Sequence, residues 1–129
     1  MLAIDTNVIV RYLVADDRDQ AQQAKGLIDA TRVFVAWTVL LETEWVLRRA
    51  YGQAAFKVLA ALKGFIGLDT VTVEDETLIV QAFSWAEQGM DFAAALHLAR
   101  ASHCEAFVSF DRDLAKAARK VKAPDVREP

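Results

Sequence analysis

Two aspartates close short apolar runs. Asp5 follows residues 1–4 in LAIDTNVIV, and Asp111 follows residues 106–110 in AFVSFDRDL, with Asp113 two positions on. A third acid, Glu42, sits early in the stretch VLLETEWVLRRAYG, where its helical neighbours Val39, Trp45 and Val46 are all apolar. An acid there interrupts a surface that would otherwise be expected to be buried. Two carboxylates about 4 Å apart at an effective dielectric near 20 repel by roughly 4 kcal/mol, so gathered acids need a positive charge between them. The apolar runs supply no Lys or Arg, which leaves a proton or a divalent cation. Mg²⁺ and Mn²⁺ favour oxygen ligands, keep several waters and are held by a few carboxylates plus substrate phosphate. Such a cation activates water and stabilises charge on a phosphodiester under attack. Each aspartate also has a simpler reading, as the N-cap of the helix that follows. Asp113 in a first helical turn would complement the helix dipole. Glu44 has Arg48 four residues on, so a surface ion pair accounts for it, whereas Glu42 has no such partner.

These acids need a scaffold, and the composition supplies one. The 129 residues are 54% apolar and 26% charged, with five Gly and two Pro, which suits one domain with a sizeable core, here residues 1–129. That profile excludes a disordered or low-complexity chain. A net charge of −3 excludes a globally polybasic nucleic-acid binder. The lone Cys104 can form no internal disulfide, there is no run long enough to span a bilayer, and MLAID lacks the basic region of a signal peptide. A cytoplasmic protein with no membrane association is the expectation.

Short β-like runs alternate with longer helical ones. Strands are expected at 1–4, 33–35, 70–73 and 106–110, with a last edge strand at 123–126. Helical stretches are expected at 8–14, from Asp19 to about residue 30, at 39–51 and 54–65, after Asp75, after Asp91 and at 114–121. Asp19 with Gln22 resembles a capping box, and Gly52, Gly67 and Gly89 stand as stops. Strands separated by helices imply crossovers and a mainly parallel sheet: a three-layer α/β/α sandwich. In such sheets ligands lie beyond the carboxyl ends of the strands, where Asp5 and Asp111 stand. If their two strands were neighbours, the carboxylates would converge.

In order along nearly the whole chain, LAIDTNVIVRYL, VLLETEWVLRRAYG, DFAAALHLARA and FVSFDRDLAK resemble a PIN-domain ribonuclease of the VapC toxin type. The resemblance implies a Mg²⁺-dependent (Mn²⁺ possible) acidic site that cleaves RNA, a homodimer, and neutralisation by a cognate antitoxin protein. By position it assigns Asp5, Glu42 and Asp111 as catalytic, metal-binding acids, with Asp113 as an auxiliary ligand. Asn7 would hydrogen-bond to hold the first loop, and Ser109 would occupy the usual Thr/Ser position. One departure stands out. The family usually has an acid immediately before the Ala-Leu pair of DFAAALHLA, and that place falls on Ala94. A methyl group binds no metal, so impaired activity is expected; Asp91, one turn earlier, looks like a helix cap. Alanine there fits an engineered inactivation, a natural degenerate member, or compensation by Asp91.

An acidic protein that binds RNA needs local basic surface. Residues 111–122 hold five basic residues against two acids, among them Arg112 and Lys116, and Arg11, Arg48 and Arg49 could extend that rim. The helical stretches 39–51 and 54–65 bear enough apolar surface to suggest a groove for an antitoxin helix. His97 and His103 lack metal-ligand spacing. Two other readings remain open. One is a degenerate, non-catalytic PIN-like binding module, favoured by Ala94. The other is an aspartyl phosphoryl-transfer domain, disfavoured because Asn7 stands where a second acid would be wanted and because Lys63 and Lys116 lack a phosphate-clamp context.

Overall fold

The computed structural model describes all residues, Met1–Pro129, which resolve into two compact units, Met1–Glu74 and Asp75–Pro129. No helix is long and apolar enough to cross a membrane.

The first unit runs β1 (Leu2–Ala3), α1 (Thr6–Val14), α2 (Arg18–Ala30), β2 (Val33–Val35), α3 (Trp37–Arg49), α4 (Ala55–Ile66) and β3 (Val71–Val73). Its three strands pair in parallel in the order β1-β2-β3, with Ala3 beside Phe34 and Val35 beside Val73. Val33 and Val35 are fully buried, as a central parallel strand requires when its faces are covered. Ile9, Ile28, Leu40, Leu47, Leu62 and Phe65 fill the core from all four helices. Tyr12 meets Phe65 edge-on at 5.4 Å between ring centroids.

Two helix starts differ from the sequence expectation. The cap of α2 is Asp17, whose carboxylate accepts from the Gln20 N–H, so Asp19 falls in the first turn instead of opening a capping box. Helix α3 begins at Trp37, two residues before the expected start. Ala36 has no side chain to cap it, and Glu74 does so from the far end of the unit. Its carboxylate accepts from the Trp37 backbone N–H (3.1 Å), and its carbonyl accepts from the indole N–H (2.7 Å).

Glu44 also departs from expectation. Its side chain is only 5% exposed, on the buried face of α3 with Leu40, Thr43 and Leu47, and Arg48 caps it with bonds of 2.5 and 3.1 Å. This is a buried carboxylate with a half-buried partner, not a surface pair. Removing one member of such a pair leaves the other charge uncompensated. Arg48→Ala is therefore expected to lower unfolding free energy by about 2–3 kcal/mol, the low side of the buried-pair range because Arg48 is partly solvated. Urea denaturation of the variant and parent measures it.

The second unit runs α5 (Glu76–Glu87), α6 (Phe92–Arg100), β4 (Phe107–Val108), α7 (Arg112–Lys120) and β5 (Val126–Arg127). Strands β4 and β5 pair in parallel, Phe107 beside Val126. Helices α5 and α6 pack as a pair: fully buried Ala82, Ala95 and Ala99 allow close approach, and Phe83 lies 5.1 Å from Phe92 between ring centroids. Asp91 caps α6, accepting from the Ala94 N–H at 3.1 Å. Asp75, expected to cap α5, does not. It sits in the left-handed region (φ 48°), and its carboxylate pairs with Arg100. Gly89, also left-handed (φ 111°), lets the chain turn from α5 into α6.

Every strand pairing is parallel and successive paired strands are joined through helices, as the alternating pattern implied. Hydrogen bonding divides the strands between two ladders, however. The acid-bearing strands are β1, bonded to β2, and β4, bonded to β5.

Candidate active site

In the first unit, β1 ends at Ala3, buried Ile4 follows, and the chain turns into α1 at Asp5. Asp5 is extended (φ −93°, ψ 168°), and its Oδ1 accepts from the Thr6 N–H at 2.8 Å, capping α1. Thr6 is buried, and its hydroxyl donates to Glu42 Oε1 at 2.5 Å. One residue thus touches both acids, tying the start of α1 to α3. Asp5, Thr6, Asn7, Val10, Arg11, Glu42, Val46 and Tyr51 line a cleft of about 300 Å³.

The face bearing Glu42 is open instead of buried: Glu42 is exposed, Trp45 is 55% exposed, and Val39 and Val46 are half-buried. The loop-holding role expected of Asn7 belongs to Thr6. The Asn7 side chain is exposed and makes no hydrogen bond within the protein. The sequence offered one signal for Thr6, a threonine at the first helical position beside a strand-end aspartate.

Arg11 stands at the cleft wall. Its Nε donates to Gln20 Oε1 at 2.6 Å, while Nη1 donates to Asp16 Oδ1 and to the Tyr51 hydroxyl, each at 3.1 Å. Tyr51 in turn donates to Asp16 Oδ2 at 3.0 Å. The Tyr51 bond raises the Arg11 pKa above its ordinary value, partial desolvation opposes the rise, and the Asp16 charge adds to it. The guanidinium is charged at any accessible pH. Tyr51 stood at the end of the VLLETEWVLRRAYG motif with no role assigned to it, and Asp16 belonged to no motif.

In the second unit, Asp111 caps α7. Its Oδ1 accepts from the Asp113 and Leu114 N–H groups at 3.0 and 3.1 Å, and its own N–H donates to Ser109 Oγ at 3.0 Å. Ser109 therefore braces the turn, and Asp113 is exposed in the first turn of α7. Ser109, Asp111, Arg112, Arg119, Arg127 and Glu128 are among the residues lining a cleft of about 490 Å³. Arg112 is shared with Glu128 at 3.0 Å, whereas Lys116 is exposed and without an ion pair. Ala94 is half-buried in the first turn of α6, and Asp91 uses one carboxylate oxygen on the cap.

Capping and chemistry do not compete here. Asp5, Glu42 and Asp111 each use one carboxylate oxygen locally, and the other makes no protein hydrogen bond. No three His, Cys, Asp or Glu side chains are grouped so that they could hold a metal ion. The donors within the first cleft are two carboxylates beside solvent, a hard-oxygen set that fits a divalent cation keeping most of its waters.

The sequence matches the PIN domain over residues 2–120, spanning both units. The chain belongs to the PIN domain family. PIN domains are generally nucleases of α/β sandwich fold with a parallel sheet, and they generally use divalent metal ions. No curated protein shows significant sequence similarity to the chain. Within this PIN domain, the DTN aspartate, the ETEW glutamate and the SFD aspartate each stand at a helix start or in its first turns, with a carboxylate oxygen to spare.

Proposed function

We propose that this PIN domain is a divalent-metal-dependent endoribonuclease of the toxin kind, neutralised by a small cognate antitoxin, and that Ala94 impairs it. The observation behind this reading is the pairing of Asp5 and Glu42 in one cleft through Thr6. In the proposal Asp5 and Glu42 serve as metal-binding acids with Asp111, and Asp113 assists. Mg²⁺, or Mn²⁺, would supply an activated water and charge stabilisation at the scissile phosphate. Thr6 holds the Glu42 carboxylate in place, and Ser109 holds the Asp111 turn. Arg112 and Lys116 contact phosphates of the strand, which positions RNA without reading its sequence.

The test is cleavage of single-stranded RNA with Mg²⁺ and with EDTA, by the chain and by Ala94→Asp. EDTA-sensitive endonucleolytic products support the reading. Absence of cleavage by both proteins, with RNA still bound, favours the second reading, a non-catalytic PIN-like module, whose support is the missing carboxylate at position 94. Neutralising Arg112 and Lys116 together is expected to make the salt dependence of RNA binding shallower by up to about 1.4 in log–log slope, at about 0.7 per lost single-strand phosphate contact. Fluorescence anisotropy at several salt concentrations measures it.

The partners in this proposal are a second copy of the chain and the antitoxin. Trp45 on α3 and Phe56 on α4 remain 55% and 70% exposed, where a groove for an antitoxin helix was expected. Size-exclusion chromatography with light scattering, alone and with the product of the neighbouring gene, tests both.

A further inference from the structure

Arg11 divides two clefts. On one side is the acid cleft of Asp5 and Glu42; on the other, between α1 and α2, is a second cleft of about 460 Å³, lined by residues that include Asn7, Val8, Gln20, Gln23 and Leu27. Asn7 and Arg11 belong to both. Three of the five guanidinium N–H groups are committed, one to Gln20, one to Asp16 and one to Tyr51, while the two on Nη2 have no partner in the protein. The Arg11 side chain is 29% exposed, so that open edge reaches solvent. A guanidinium held on two sides, with the two divergent N–H groups of Nη2 left over, can donate a charge-assisted hydrogen bond to a phosphate oxygen and loses little rotamer entropy on binding. The second cleft adds an apolar floor, Val8 and Leu27, and the amides of Asn7 and Gln23, both exposed. An apolar floor with amide donors and acceptors at the edge is what an unstacked base takes.

We propose that the two clefts form one path for single-stranded RNA, with Arg11 gripping the phosphate between them and the α1–α2 cleft seating the nucleotide beyond that phosphate. The proposal rests on the ribonuclease reading and adds to it a nucleotide subsite. Tyr51, Asp16 and Gln20 are positioning residues that act through Arg11.

The experiment is binding of a short fluorescein-labelled single-stranded RNA of mixed sequence to the full chain, by anisotropy at several salt concentrations, with melting temperatures alongside. Arg11→Ala is expected to weaken binding about tenfold, the scale of one charge-assisted hydrogen bond, and to make the salt slope shallower by about 0.7. Tyr51→Phe keeps the charge and loosens the clamp, so affinity falls about threefold with the slope unchanged. Gln23→Glu puts a negative charge in the second cleft and weakens binding several-fold, while Gln88→Glu on the second unit does not. If the parent binds RNA and Arg11→Ala and Gln23→Glu bind with unchanged affinity and slope, the path is wrong and the nuclease reading stands. A lower melting temperature for Arg11→Ala with an unchanged slope makes the network a structural tether and overturns the proposal. Should Arg11→Ala not fold, Tyr51→Phe and Gln23→Glu decide it. Failure of the parent to bind RNA overturns both readings.

Discussion

Ala94→Asp is expected to raise Mg²⁺-dependent RNA cleavage by about ten- to a hundredfold and to lower the Mg²⁺ concentration needed for half-maximal activity. The range is that commonly lost when a residue supporting a metal site is removed. Position 94, to which the proposed function assigns an acid, holds a methyl group, so the proposed site is short of one negative charge and one oxygen donor. The fold has no reason to resist the change. Position 94 lies in the first turn of α6, its backbone N–H already bonded to Asp91, and it is half-buried instead of enclosed. A carboxylate in a first helical turn is mildly stabilising through the helix dipole. The melting temperature should therefore hold or rise slightly while activity climbs. Ala94→Asn is the control: nearly the same shape without the charge, and no gain in cleavage. If Ala94→Asp leaves both cleavage and Mg²⁺ affinity unchanged, position 94 is not a ligand position.

Asp5→Asn, Glu42→Gln and Asp111→Asn, each made in the Ala94→Asp background, are expected to lose cleavage by at least about a hundredfold with little change in stability. A loss of that size is typical when a group stabilising transition-state charge is removed. The near-constant stability follows from what each acid does locally. Asparagine caps helices about as well as aspartate, so the Thr6 N–H keeps its acceptor in Asp5→Asn, as do the Asp113 and Leu114 N–H groups in Asp111→Asn. In Glu42→Gln the side-chain amide oxygen can still accept from the Thr6 hydroxyl. What disappears is the negative charge and with it the second, unused carboxylate oxygen. Asp5→Ala and Asp111→Ala should lose activity and also about 1 kcal/mol of stability, because the cap goes too. Thermal melts and cleavage assays on these variants and their parent separate the two roles of each residue. Full cleavage by Asp5→Asn would remove Asp5 from the chemistry and leave it as a cap alone.

Much of the scaffold was legible because its determinants are local. Helix α4 runs almost as periodicity and Gly67 suggested, Val33–Val35 is a strand as its β-branched run implied, and Ala95, Leu96, Leu98 and Ala99 are the buried face of α6. Asp91 caps α6 as its position before an apolar helix indicated. Features that depend on partners distant in sequence were misread. Helix α3 looked as though it began at Val39 because its cap, Glu74, arrives from 37 residues away. Asp75 looked like a cap until Arg100, 25 residues on, took its carboxylate. Strand β4 is shorter than its apolar run, and β5 lies at Val126–Arg127, overlapping the expected 123–126 at one residue, since a ladder extends only as far as a partner strand lies alongside.

Residue types, spacing and order were enough to point to Asp5, Glu42 and Asp111, and to an α/β fold of parallel strands, because caps, periodicity and strand-end acids are written within a few residues. The i+4 pairing of Glu44 with Arg48 was enough to favour Glu42, but not to tell that Glu44 is buried. Two residues apart on a helix, these acids point roughly 200° away from each other, so one must face the core when the other faces solvent. The packing of α3 against α1 decides which acid is covered: Glu44 is buried and paired with Arg48, while Glu42 is left at the mouth of a cleft with Thr6. That phase is set by packing across elements far apart in the chain, which no local run of sequence encodes.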